Sequence, residues 1–201
     1  MDYIKGIDET VESIKRKLKE KLTEKRYIHS VNVMEVAVKL ADKYNADRDK
    51  AAVAGILHDC ARCMKYEDAV NLSKSYNVLV DEETIKQIEL LHGPLGEAIA
   101  RNEYGIDDKE ILSAIRYHTT GHGNMTLLEK IIYIADYIEP ARNFECVEEA
   151  RKLAFEDIDR AVLFSLDNTI RYLLLKGALI HGYTIEARNS IINIIREKMH
   201  K

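Results

Sequence analysis

Two places in the chain put metal-binding side chains where an apolar helix would otherwise continue. Gly55-Ile-Leu-His58-Asp59 ends an apolar run in an adjacent imidazole and carboxylate. Lys130-Ile-Ile-Tyr-Ile-Ala-Asp136-Tyr-Ile carries a carboxylate inside an apolar run. An ionised carboxylate in such surroundings costs several kcal/mol unless it is paired or coordinated. No Lys or Arg is an obvious intrahelical partner for Asp136, so something positive is expected to face it. His29 lies four residues before Val33, on the apolar face of a third run. Two imidazoles and two carboxylates suit a borderline divalent ion such as Fe, Mn, Co, Ni or Zn. Four protein ligands leave positions open on an octahedral ion, which favours a catalytic site over a closed structural one. Each residue alone has a plainer reading: a packed core histidine, a chance His-Asp pair, a capping Asp. The ordered set on separate helices is far more specific than any member.

Those side chains must be carried by helices, because helical periodicity runs through nearly the whole chain and strand alternation is almost absent. Only 9 Gly and 2 Pro occur in 201 residues, which leaves room for long uninterrupted helices. The expected elements are Asp8 to about Leu22, a helix capped by Thr23 and reaching about Tyr44, and one capped by Asp47 and reaching about Cys60. Further helices are expected over Tyr66–Tyr76 and Glu82–Leu91. Gly93-Pro94 should start a new one ending near Tyr104-Gly105, with Pro94 at its first turn. Asp107 or Asp108 opens the next, to Tyr117, and Thr119 to Asn124 reads as a flexible loop. Thr126-Leu-Leu-Glu129 is a capping box for a helix over Leu127 to about Ile138, stopped by Pro140. Val147–Phe155, Ile158–Leu175 and Thr184–Lys198 complete the set. The fold class is therefore all-α. One domain over 1–201 is expected, with a core of about 23–140 and C-terminal helices of about 145–201 packed on it.

The formal charge of −4 argues against a general nucleic-acid or membrane binder, so contacts to an anionic substrate must be local. No stretch approaches a membrane span in length, and the charged N-terminus lacks the features of a signal peptide. A cytoplasmic location is the default. Three cysteines argue against a disulfide framework. Cys60 and Cys63 form a Cys-x-x-Cys pair, readable as a redox pair, half a zinc site, or two small packed residues. Arg26 and Arg62 each lie three residues from a candidate ligand, and Arg142 follows the Asp136 helix; guanidinium forks suit phosphate oxygens. Thr119-Thr120-Gly121 could line phosphate or ribose through hydroxyls and amides. Tyr66 and Tyr137 are candidates to stack on a base. His122, His181 and His200 fit no motif and read as surface or packing residues.

The order His29, His58-Asp59, Asp136 resembles that of the HD metal-dependent phosphohydrolases, which implies an HD-type helical bundle. Longer motifs narrow the resemblance. Arg26-Tyr-Ile-His29-Ser30, Gly55-Ile-Leu-His58-Asp59-Cys60-Ala61-Arg62, Leu91-His92-Gly93-Pro94-Leu95-Gly96, Ala114-Ile-Arg-Tyr117-His118-Thr119-Thr120-Gly121 and Lys130-Ile-Ile-Tyr-Ile-Ala-Asp136-Tyr-Ile-Glu139-Pro140-Ala141-Arg142 together look like the YqeK family. Ala141 stands where Gly would be expected.

The resemblance implies a symmetrical bis(5'-nucleosyl)-tetraphosphatase: diadenosine tetraphosphate is cut into two ADP by a metal-bound water, with iron the favoured ion. It implies His29, His58, Asp59 and Asp136 as metal ligands. It implies Asp59, His92 and His118 as catalytic residues, with Asp59 orienting or deprotonating the water. Arg26, His29, Arg62, His92, His118, Thr119, Thr120, Gly121 and Arg142 are the groups expected to meet the substrate. His92 and His118 could instead hold a second metal. The partner is a dinucleoside polyphosphate, and a homodimer is left open. The alternatives are another HD phosphohydrolase, acting on a mono- or triphosphate or an alarmone such as ppGpp, and a nucleotide sensor without turnover.

Overall fold

The computed structural model describes residues 2–200, the first eight of them by backbone alone. Among the described residues there are eleven helices and no strand. The first is α1, Asp2–Lys21, which buries Val11, Ile14 and Leu18 in the common core, so the N-terminal helix belongs to the main bundle. Thr23 then caps α2, Glu24–Tyr44, through its side chain and the Arg26 N–H. Asn45, in the left-handed conformation, closes α2. Asp47 accepts from two backbone N–H groups to start α3, Arg48–Leu57.

α2 and α3 form the most extensively packed pair. They close tightly at Gly55, where a Cβ would stand 2.8 Å from the Met34 Cα. α3 ends at Leu57, three residues earlier than the periodicity suggests, and His58, Asp59 and Cys60 lie in the tight turns that follow. The helix stops there because the chain must turn two polar side chains inward rather than continue the apolar face.

The expected break at Gly93-Pro94 is not there. After α4, Tyr66–Ser75, and the short α5, Glu82–Lys86, the chain bends at Gln87. It then runs as one helix, α6, Ile88–Tyr104, with Pro94 inside it. An interior proline costs about 3 kcal/mol through its lost N–H bond and ring clash. Burial decides against local propensity: every residue from Leu91 to Gly96 is buried. Gly93 and Gly96 let α6 approach the Arg116 carbonyl and the His58 carbonyl.

α7, Lys109–Tyr117, is capped by Asp108. α8, Leu127–Ile138, begins with the expected capping box of Thr126 and Glu129. α9, Val147–Glu156, α10, Ile158–Leu175, and α11, Gly182–Met199, follow. α10 packs on α8, α9 and α11, which fastens the C-terminal helices to the bundle. Lys130 of α8 and Lys198 of α11 both donate to the buried Asp159, at 2.7 and 2.6 Å. No helix among the described residues is long and apolar enough to cross a membrane.

Candidate metal centre and active site

Five helices each deliver a polar residue to one contiguous cluster of overlapping donor groups, buried except for the partly exposed Asp136. α2 brings His29, the end of α3 brings His58 and Asp59, α6 brings His92, the end of α7 brings His118, and α8 brings Asp136. His29 Nε2 lies 3.2 Å from His58 Nε2, 3.0 Å from Asp136 Oδ1 and 3.7 Å from Asp59 Oδ2. His58 Nε2 lies 3.8 Å from Asp59 Oδ2 and 3.9 Å from Asp136 Oδ1. Ligand atoms at 2.0–2.2 Å from one ion are separated by about 3.0–3.4 Å at octahedral or tetrahedral angles. The observed spacings match or slightly exceed that, so the donor set fits a divalent ion.

The hydrogen-bond network points the same way. His58 Nδ1 donates to the Gly55 carbonyl at 2.7 Å, which turns the Nε2 lone pair inward. Burial pushes the His58 pKa down to about 4, so this ring is uncharged at neutral pH. His29 Nδ1 faces Glu139 Oε1 at 3.2 Å, which aims its Nε2 at the same point. Burial opposes charge on His29, but the Asp136 hydrogen bond and the Asp136 and Asp59 charges outweigh it and raise its pKa. Burial likewise opposes ionisation of Asp59 and Asp136. The His58 ring, which is charged only at the acid pH where a carboxylate titrates, for Asp59, and the His29 hydrogen bond with Arg142 for Asp136, hold both well below the ordinary carboxylate range.

Asp136 does have a cationic partner. Arg142, beyond the end of α8, donates to its Oδ1 at 2.5 Å and to its backbone carbonyl at 2.9 Å. The intrahelical argument missed it because the chain folds back after Pro140, through a turn in which the Arg142 N–H bonds to the Glu139 carbonyl. Arg142 and His29 share Asp136 Oδ1, with His58 Nε2 next to it.

His92 and His118 extend the cluster. Asp59 Oδ1 lies 3.2 Å from His92 Nε2 and 3.7 Å from His118 Nε2, and the two Nε2 atoms are 3.0 Å apart. The donor atoms of His58, His118 and Asp136 also fall within one 4.8 Å group. His118 resembles His58: its Nδ1 donates to the Ile115 carbonyl at 2.8 Å, leaving Nε2 as a lone pair. His92 is the reverse. Its Nδ1 faces the Arg62 guanidinium at 3.3 Å, and a guanidinium can only donate. A neutral His92 therefore carries its proton on Nε2, toward Asp59.

Arg26 donates to Asp59 Oδ2 at 2.9 Å, and Thr119 Oγ1 lies 3.2 Å from His92 Nε2. Thr120 and Gly121 turn away from the cluster. The Thr120 hydroxyl donates to the Gly121 carbonyl, and Gly121, at φ +62°, packs on Ala187 and Met125. Tyr66 donates to the Ile85 carbonyl, and Tyr137 meets Phe144 edge to face at 4.9 Å. Cys60 is buried against the Gly96 carbonyl and Cys63 is exposed; neither is disulfide-bonded.

Sequence reasoning missed Glu139 as a functional residue. It is 2% exposed, holds His29, and accepts from Asn32 at 2.9 Å and the Ala141 N–H at 2.7 Å. The only signal was its place between Asp136 and Pro140. A carboxylate behind a ligating imidazole fixes the tautomer and orientation of the ring. Glu139→Gln is expected to weaken divalent-metal affinity by about 10- to 100-fold. Calorimetric titration with Mn(II) measures this, and unchanged affinity would remove Glu139 from the supporting shell.

The segment after His118 is fastened rather than loose. His122 Nε2 bonds to the buried Glu129 Oε1 at 3.0 Å, and Ser113 donates to the same oxygen. The Glu129 hydrogen bond raises the His122 pKa. Burial opposes the Glu129 charge, but His122, Ser113 and the Thr126 N–H bring its pKa down to about 2, from 4.5. Stability from the depressed Glu129 is present above about 4.5 and is lost as pH falls toward 2. Stability from the raised His122 is complete below about 6.5 and is lost as pH climbs through its folded value. His122→Gln should therefore lower the melting temperature most between about pH 4.5 and 6.5, and progressively less at alkaline pH. A difference independent of pH would show that the ion pair contributes nothing.

The HD domain model matches residues 26–141. The chain is 42% identical to the Staphylococcus aureus protein named "Bis(5'-nucleosyl)-tetraphosphatase, symmetrical", over 89% of this chain and 93% of the relative. It is also 42% identical to the Bacillus subtilis protein of the same name, over 88% and 94%. A crystal structure from Clostridium acetobutylicum, described as a predicted HD superfamily hydrolase involved in NAD metabolism, is 48% identical. It superposes with a TM-score of 0.87, covering 90% of this chain and 96% of that one.

Proposed function

The chain belongs to the HD domain family, and we infer that it is a metal-dependent hydrolase that cleaves diadenosine tetraphosphate symmetrically into two ADP. What carries this reading is likeness over nearly the full length to two proteins named for that activity, combined with a donor cluster that all five site helices converge on.

His29, His58, Asp59 and Asp136 are the side chains that would hold the divalent metal. When bound, such an ion acidifies water and neutralises charge on the attacked phosphoryl group. The protein's own part is positioning and electrostatics. Asp59 has one oxygen fixed by Arg26, and its other oxygen is turned toward His92, where it can accept the proton of the attacking water. The His92 Nε2–H, with its ring held from behind by Arg62, is placed to donate to a phosphate oxygen. On this reading His92 serves the phosphate chain rather than a second metal; His118, with an inward lone pair, is able to serve either. Arg26, Arg62, Arg142 and Thr119 border the cluster and supply donors to the polyphosphate. Attack at the second phosphorus breaks its bond to the central bridging oxygen, which leaves with the other ADP.

Iron is the ion this reading favours, supported by the mixed imidazole and carboxylate donors. A cytoplasmic setting is supported by the three free thiols. A homodimer belongs to the same reading, and sedimentation velocity of the wild type tests it. The chain would act as one unit, with residues of about 23–140 carrying the metal and about 145–201 braced against them.

The test is product analysis. Protein purified anaerobically with Fe(II) or Mn(II) should yield ADP alone from diadenosine tetraphosphate. AMP plus ATP, or preference for a mononucleotide, would sink the assignment.

A further inference from the structure

Two grooves open beside the metal ligands. One, of about 580 Å³, runs past Arg26 and His29. The other, of about 650 Å³, runs from Asp136 and Tyr137 to Arg171 and Tyr172 on α10. Arg142 and Phe144 line both, so they form a partition that ends at the metal ligands. Both volumes lie in the range of small-molecule sites.

We propose that the groove against α10 is the subsite for the second nucleoside of the substrate, and that the Arg142–Phe144 partition sends the two nucleosides to opposite sides. This rests on the tetraphosphatase reading and deepens it. A hydrolase that recognised only one end of a dinucleoside tetraphosphate would place the bond to be cut by a single measured length. Two grooves meeting at the ligand cluster measure from both ends and put the central bridge over Asp136 and His29.

The lining has the chemistry for a base. Phe144 is 39% exposed and braced edge to face by Tyr137, which presents a fixed aromatic surface. Tyr172 is 59% exposed on the facing helix. Arg171, also exposed, makes no ion pair among the described residues, so its guanidinium is available to stack or to meet a phosphate. Aromatic faces bind bases with little dependence on sequence, as a two-nucleoside substrate requires. Phe144, Arg171 and Tyr172 all lie beyond residue 141, where the match to the HD domain model ends. The C-terminal helices thus add a substrate wall to a metal centre built by the rest of the chain.

The experiment compares the wild type with the double variant Arg171→Ala, Tyr172→Ala, neither residue being near a metal ligand in sequence. KM for diadenosine tetraphosphate should rise about tenfold, the loss expected for one stacked base, with kcat little changed. The inhibition constant of adenosine 5'-tetraphosphate should change less than twofold, because one nucleoside can use the other groove. Phe144→Ala, which removes the shared wall, should weaken both compounds. An unchanged KM, or equal losses for both compounds in the double variant, would overturn the subsite. So would a shift of the double variant in sedimentation velocity, which would make Tyr172 a contact between copies of the chain. If the wild type forms no ADP from diadenosine tetraphosphate, the functional reading falls first and the subsite with it.

Discussion

Asp136→Ala is expected to strip the protein of bound divalent metal and to lower hydrolysis on the order of a thousandfold or more. The carboxylate contributes one of the two negative charges that face the Nε2 atoms of both His29 and His58, and its Oδ1 is 3.0 Å from His29 Nε2. Without it, two inward imidazoles and Asp59 remain, and the Arg142 guanidinium beside Oδ1 loses its nearest counter-charge. A cation would then meet less negative charge and a less compensated guanidinium, so affinity falls on both counts. Metal content after dialysis and turnover of diadenosine tetraphosphate are the two measurements. The competing account is that Asp136 exists only to hold Arg142. On that account the variant would keep its metal and lose only thermal stability, and that result would take Asp136 out of the ligand set.

Gly93→Ala should destabilise the fold by about 3 kcal/mol, the upper end of the usual range for overpacking a tight core. A Cβ at this position would stand 2.5 Å from the Arg116 backbone carbonyl. Backbone cannot rotate aside as a side-chain tip can, so α6 and α7 must separate. The cost would also reach the site, because His92 precedes Gly93 and must stay 3.0 Å from His118 across the same helix pair. Urea denaturation measures the loss. Gly123→Ala is the control: nothing lies within 4 Å of its added methyl, and it should change stability by no more than about 0.5 kcal/mol. Equal stability of the two variants would show that α6 and α7 can yield at Gly93.

Much of this molecule follows from the order of its residues. The 3.6-residue apolar period and the scarcity of breakers suffice for an all-helical chain. Asp47, Asp108 and the Thr126–Glu129 box start their helices where local chemistry says they should, because a cap needs only neighbours three residues away. The candidate metal-binding set was legible for a related reason. An imidazole or carboxylate in an apolar run is expensive wherever the chain folds, so His29, His58, Asp59 and Asp136 announce a shared charge problem before any contact is known.

What the sequence left open depends on which surfaces meet. Pro94 locally signals a helix start, yet α6 passes through it, since burial from Leu91 to Gly96 outweighs one lost hydrogen bond. Arg142 became the partner of Asp136, and Glu139 the support of His29, only through the turn after α8 and the approach of α2. Neither contact has a periodic signature. The proton position on His92 was likewise set by Arg62, thirty residues away, through a bond that exists only once two elements are packed. Residue types and local spacing thus determined the helices, the need for a cation and, through carbonyls three residues back, the His58 and His118 rings. Tertiary packing decided how the His29 and His92 rings are oriented, because a hydrogen bond between distant residues acts only over about 3 Å and leaves no trace in the intervening sequence.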